Sequence, residues 1–232
     1  MSGTQRHWEA RATRRTLDRL ADADARSARP SSPTALVSAA QALASDGDFT
    51  VKQVVDKAGV ALQTFYRHFG SKDELVLAVL EENLLRGNRT IAESADREGT
   101  ALERLAAVIR APLLMATSAE SLPGLRFHAR ERVRLSEQFP SEVEACLSPY
   151  RNLVIEYLKA AVEAGEIFPV DVVRDAEIIL HLVLTYTHSV AAGALPYDAT
   201  DAAEYLWSFC YAALQRGRDG EQAALNTRPP GT

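Results

Sequence analysis

Gly59 stands between two short amphipathic runs, and few arrangements satisfy the chain around it. Thr50 can cap a helix over Val51 to Ala58, whose apolar face is Val51, Val54, Val55 and Ala58. A second short helix, roughly Ala61 to Phe69, follows at once and ends at Gly70. Glycine takes a positive φ without steric cost, so Gly59 can turn the chain sharply between the two, with Val60 filling the core beneath the turn. Two short helices at a steep angle across a tight turn make a helix-turn-helix, whose second helix is apolar inside and polar where it meets solvent. At about 100° per residue, Phe65 and Phe69 lie about 40° apart and define the buried side. Gln63 and Arg67 fall opposite them, Thr64 and Tyr66 flank the exposed face, and His68 borders the core side near the helix end.

That exposed face has the chemistry of a DNA reader. A glutamine such as Gln63 can pair bidentately with adenine, and Arg67 can reach phosphate or guanine. Thr64 and Tyr66 offer hydroxyls to phosphates. Thr50 at one helix start and Lys72 at another add a hydroxyl, backbone N–H groups and an ammonium where a phosphate can dock. A generic helical hairpin with merely solvated residues is the alternative for any one of these positions. It explains the whole set poorly.

A net charge of −5 would oppose a nucleic-acid partner if it were spread evenly, but it is not. Residues 1 to 72 hold 11 Lys and Arg against 7 Asp and Glu, a net of +4, and the remainder hold 15 against 24, a net of −9. A basic front on an acidic body suits a phosphate-binding module joined to a ligand-binding or dimerising one. Neither a secretory signal nor a long apolar stretch is evident, so a cytoplasmic protein without a membrane partner is expected. Cys146 and Cys210 lie far apart without metal-ligand spacing and are expected to be core thiols; no metal or cofactor is implied.

From Ser32 onward, helical spacing recurs and strand alternation does not, which predicts an all-α chain of about nine helices. They are expected near 34 to 45, 51 to 58, 61 to 69, 71 to 92, 100 to 117, 124 to 137, 141 to 164, 171 to 193 and 199 to 216, with breaks at Pro123-Gly124 and Pro140 among others. Ser71 and Glu74 have capping-box spacing, and Leu75, Val79, Leu80 and Leu84 form the apolar face of the fourth helix. Four segments follow: a flexible basic arm over 1–30, a helix-turn-helix DNA-binding domain over 31–75, a helical body over 76–216 and a disordered tail over 217–232.

The stretch TVKQVVDKAGVALQTFYRHFGSKDEL resembles the TetR family of transcriptional regulators. The resemblance rests on Ala58, Gly59 and Val60 at the turn, Thr64, Tyr66, His68 and Phe69 in the second helix, and Ser71, Lys72 and Leu75 after it; it spans residues 34 to 80. Two positions depart from the pattern, because Ala61 stands where the family commonly has serine and Gln63 where it has a small residue. The resemblance implies a homodimer on a palindromic operator, most commonly a repressor released by a small-molecule effector. It also implies that the body binds the effector and that its last two long helices dimerise. The first of these helices carries Ala176, Ile179, Leu180, Val183, Leu184 and Thr187 along a broad face and the second Ala203, Leu206, Trp207, Cys210 and Leu214, so that one such face can serve the subunit core and another the dimer seam.

Candidate effector contacts are Phe127, His128, Arg130, Tyr150, His181, Tyr186 and His188, though for each one a satisfied core or surface residue is the more natural reading. Arg126, Arg130, Arg132 and Arg134 could meet an anionic ligand such as an acyl thioester, or form a solvated face. Two other classes are a helical-bundle enzyme and a helical interaction adaptor. An enzyme is not expected: there is no ExxH pair, no Gly-rich phosphate loop and no partner for the histidines at motif spacing.

Overall fold

The structure, a computed structural model, describes residues 32–44, 47–117, 122–168 and 171–215. The expected N-terminal arm and C-terminal tail lie outside the described residues. Among those described there are nine α-helices and no strand: α1 (Ser32–Ala44), α2 (Val51–Ala58), α3 (Leu62–His68), α4 (Lys72–Ala95), α5 (Ala101–Met115), α6 (Leu122–Gln138), α7 (Pro140–Glu163), α8 (Val172–Ala192) and α9 (Ala199–Leu214). None of them is long and apolar enough to cross a membrane.

Helix starts follow local chemistry. Thr50 accepts from the Gln53 N–H at 3.3 Å while the Gln53 side chain accepts from the Thr50 N–H at 2.8 Å, a reciprocal capping box. Thr100 and Glu103 repeat it at the start of α5, at 3.1 and 2.8 Å. Asp171 and Asp198 cap α8 and α9. At α4 the pair is Ser71 and Glu74. Ser71 Oγ accepts from the Glu74 N–H at 3.2 Å, but the Glu74 carboxylate accepts from the N–H of Gly70, at 2.9 Å. The expected break at Pro123-Gly124 falls instead inside the first turn of α6, and Pro140 opens α7. Proline is tolerated there because first-turn N–H groups have no intrahelical acceptor.

Contacts divide the chain into two units. The first holds the described residues up to Asn83 together with Phe127–Cys146; the second holds Leu84–Arg126 and the described residues from Leu147. The expected division was a single cut after residue 75. Residues 127 to 146 join the first unit through long-range contacts: Phe127 stacks on Phe49 with ring centroids 5.8 Å apart, and Arg134 reaches Asp73 at 2.6 Å. His128 is hydrogen-bonded to Asn83, whose Oδ1 accepts from Gln41 at 2.8 Å.

The first unit's core gathers Leu36, Ala40, Phe49, Val54, Phe65, Phe69 and Leu135. Residues 74 to 80 of α4 are buried on every side, not along the one predicted face, while Leu84 is only half-buried. A helix apolar all round is a central element, and α4 is central to this unit. In the second unit α5 packs on α8 and α9 through Leu105, Val108, Ile109, Leu180, Val183 and Leu206. The Tyr150 hydroxyl donates to the Val108 carbonyl at 2.9 Å, and complete burial pushes its pKa up. The Tyr157 hydroxyl donates to Asp96 at 2.9 Å; burial first, then that carboxylate, push its phenol up to about 12. Cys146 and Cys210 are both buried, and burial pushes the Cys210 thiol up to about 11.

Candidate nucleic-acid interface

The site is built on the turn between α2 and α3. Gly59 has φ 66° and ψ 35°, the left-handed conformation, and its N–H donates to the Asp56 carbonyl at 3.3 Å. The Val60 N–H closes the turn on the Val55 carbonyl at 3.1 Å. A Cβ at Gly59 would meet nothing within 4 Å, so the demand for glycine comes from φ and not from space. Any other residue would pay about 1–2 kcal/mol for that conformation.

α3 then divides as its spacing predicts. Phe65 and Phe69 are completely buried, with ring centroids 5.7 Å apart. Gln63, Tyr66 and Arg67 are exposed, and Thr64 and His68 are half-buried at the sides. Tyr66 is 58% exposed, and its ring stands edge-on to Phe65 at 5.2 Å, which supports it from below. Ala61 makes no side-chain cap.

Leu62, which is not among the expected contacts, is half exposed at the start of α3. Wheel geometry puts it about 20° from Phe69, on the buried side. It escapes burial because it stands in the first turn, and an apolar side chain at that place can touch a thymine methyl group.

Lys72 is held by neighbours within the first unit. Its Nζ bonds Asp48 Oδ1 at 2.6 Å and sits 5.0 Å from the centre of the Phe49 ring. The Lys72 ammonium is the main cause that holds the Asp48 carboxyl below the usual range. Thr50, also expected to contact phosphate, bonds Gln53 through its hydroxyl. The expected DNA-contacting residues Thr50, Gln63, Thr64, Tyr66, Arg67, His68 and Lys72 therefore all lie in the first unit.

The candidate effector residues do not assemble into one set. Phe127, His128 and Arg130 belong to the first unit, Tyr150, His181 and Tyr186 to the second. Phe127 is buried against Phe49, and the Arg130 guanidinium lies 5.6 Å from the Phe127 ring centre and pairs with Glu131 at 3.0 Å. Tyr150 is a core residue. His181 is exposed and bonds the Glu177 carbonyl at 2.8 Å, and Tyr186 is hydrogen-bonded to Tyr197, which raises its pKa. His188 is exposed.

The arginine row is largely committed. Arg134 bridges Asp73 at 2.6 Å and the buried Glu131 at 2.8 Å, Arg126 donates to the Ala191 carbonyl at 2.5 Å, and burial lowers the pKa of Arg132. A shallow hollow of about 320 Å³ along α8 is lined by Glu177, Ile178, His181, Leu182, Thr185 and Tyr186. Among the described residues no three His, Cys, Asp or Glu side chains gather as a metal site.

Residues 36–79 match the family of bacterial regulatory proteins described as the tetR family. No curated protein matches the chain. Among solved structures, it is similar to the transcriptional regulator FadR from Bacillus subtilis in complex with stearoyl-CoA, at a TM-score of 0.61 and 19% identity, covering 77% of this chain and 97% of that one. The fatty acid degradation regulator FadR from Bacillus halodurans gives 0.66 and 17%, covering 81% and 98%. AibR in complex with isovaleryl coenzyme A and operator DNA gives 0.56 and 18%, covering 78% and 98%. At these identities the likeness is one of fold.

Proposed function

We propose, from the premise that this chain is a tetR-family regulator by its helix-turn-helix, that it is a ligand-responsive repressor which leaves a palindromic operator when a small molecule binds. One observation carries the DNA-binding part. Gln63, Tyr66 and Arg67 share the exposed side of a helix whose opposite side, Phe65 and Phe69, is sealed in the core. Phosphate contacts supply affinity and base contacts supply preference. Tyr66→Ala is therefore expected to weaken binding to all duplexes by a similar factor, and Gln63→Ala to relax preference at one base position. Titration of duplexes varied one position at a time checks this; equal losses on every duplex from Gln63→Ala would make it a backbone contact.

A palindrome is read by two copies of α3, and the second unit offers a surface for pairing. On α9, Tyr205 and Phe209 stand one turn apart at 64% and 55% exposure, and on α8 Ile178, which lines the hollow, is half exposed. Large apolar side chains clustered at helical spacing favour burial by a second copy. Phe209→Glu is expected to convert dimers to monomers by light scattering and to weaken operator binding by at least tenfold.

For the effector, a coenzyme A thioester is supported by two of the similar structures, which hold stearoyl-CoA and isovaleryl coenzyme A. Asn88 Nδ2, Arg110 Nε and Thr187 Oγ1 of the second unit are buried without hydrogen-bond partners. Such groups cost about 1–3 kcal/mol each, which a polar ligand can recover. Release follows if the ligand favours a conformation in which both half-sites are no longer met. Adding stearoyl-CoA or isovaleryl-CoA to the protein–DNA complex tests this. Loss of binding supports the reading, and thioester binding that leaves operator affinity unchanged contradicts it.

A further inference from the structure

We infer that Asp48 is an internal substitute for a DNA phosphate, occupying the Lys72 ammonium in the free protein and yielding it when DNA binds. The inference rests on the reading of Lys72 as a phosphate contact. It concerns a residue just before the helix-turn-helix that belongs to none of the expected contacts.

The geometry is that of a docked phosphate oxygen. Asp48 Oδ1 lies 2.6 Å from Lys72 Nζ, the distance of a charge-assisted bond. The carboxylate is placed there by its own backbone, because the same Oδ1 accepts the N–H of Phe49 at 2.9 Å. Phe49 is in turn fixed, buried and stacked on Phe127 at 5.8 Å. Lys72 lies over the Phe49 ring at 5.0 Å, and Arg130 over the Phe127 ring at 5.6 Å. Two cations thus flank a stacked aromatic pair that carries the ammonium at one end. The Lys72 side chain is still 34% exposed, against 72% for Asp48.

An exposed carboxylate on an exposed ammonium competes directly with an arriving anion. An ammonium has three donors, so a phosphate can approach while Asp48 is still bound, but the two anions then lie side by side and repel. DNA binding must either displace Asp48 or bear that repulsion. Both routes weaken binding, and both make Asp48 a moderator of affinity that carries no sequence information.

Anisotropy titrations of a short mixed-sequence duplex over a range of salt, using the full-length wild type, Asp48→Asn, Lys72→Gln and the double variant, test the inference. Phosphate contacts are sequence-independent, so the operator need not be known. Asp48→Asn is expected to tighten binding about two- to fivefold, the range of one exposed ion pair. It should also steepen the salt dependence by up to about 0.9 in log–log slope. Lys72→Gln should weaken binding, and in that background Asp48→Asn should have little further effect.

If Lys72→Gln weakens binding but Asp48→Asn does not tighten it, the inference fails while the reading of Lys72 stands. If the gain from Asp48→Asn persists without Lys72, it is a general charge effect and the inference also fails. If Lys72→Gln changes neither affinity nor slope, the reading of Lys72 falls and takes the inference with it. Thermal unfolding of each variant keeps misfolding apart from these outcomes.

Discussion

Replacing Phe65 with alanine is expected to destabilise the first unit by about 3–5 kcal/mol and to abolish DNA binding. Phe65 is completely buried, packs against Phe69 and supports Tyr66 from beneath. Its loss removes apolar contacts and leaves a cavity where α3 meets the core, and a helix of seven residues has no means to hold its place alone. Stabilities of whole domains are about 5–15 kcal/mol, so the variant should be partly unfolded or marginal at growth temperature. Urea titration followed by circular dichroism reads the loss. A variant with unchanged midpoint and unchanged DNA affinity would mean that α3 is not held by this residue.

Phe127→Ala should come next in size, costing about 3 kcal/mol or more and weakening DNA binding although the residue is remote in sequence from α3. Phe127 is buried and stacks on Phe49, which immediately precedes the capping residue of α2 and carries Lys72 over its ring. Its removal loosens that loop and the ammonium above it. The prediction separates two roles for one side chain. A core role lowers the unfolding midpoint and operator affinity together without any ligand present. An effector contact would leave both intact and change only the response to ligand. Phe127→Leu, which retains most of the apolar volume, is expected to recover much of the loss.

The parts legible in the sequence are those governed by local rules. Gly59, Phe65, Phe69 and the Thr50 cap were fixed by steric freedom, helical spacing and a side chain that reaches three residues along, so the nine described helices lie close to their expected spans. Partnerships across the chain were not legible. Lys72 and Asp48 are 24 residues apart, and nothing local says that one will neutralise the other. The burial of residues 74 to 80 on all sides depends on residues far downstream, where Arg134 meets Asp73 and His128 meets Asn83. Residue type alone offered Phe127, His128 and Arg130 as effector contacts, because an aromatic, an imidazole and a guanidinium suit a ligand and a packed interior equally. Leu62 was concealed by a wheel that ignores where along the helix the core ends.

Chain organisation bears on regulation. α4, α6 and α7 each contribute residues to both units, with the divisions at Asn83, Arg126 and Cys146 falling inside continuous helices. A helix is a rigid element, so in the proposed ligand response a displacement of one of these helices would be carried along its own length. In the proposed ligand response, coupling of this kind is a difference in binding free energy of a few kcal/mol.

The most direct measurement is enrichment of duplexes from a random-sequence library by the full-length protein, followed by footprinting of the winners. Two copies of α3 presenting Gln63, Tyr66 and Arg67 predict a shared palindrome, with half-sites protected about one helical turn apart or a multiple of it. Recovery of duplexes with no common sequence, bound no more tightly than the starting pool, would contradict the assignment of α3 as the element that reads DNA.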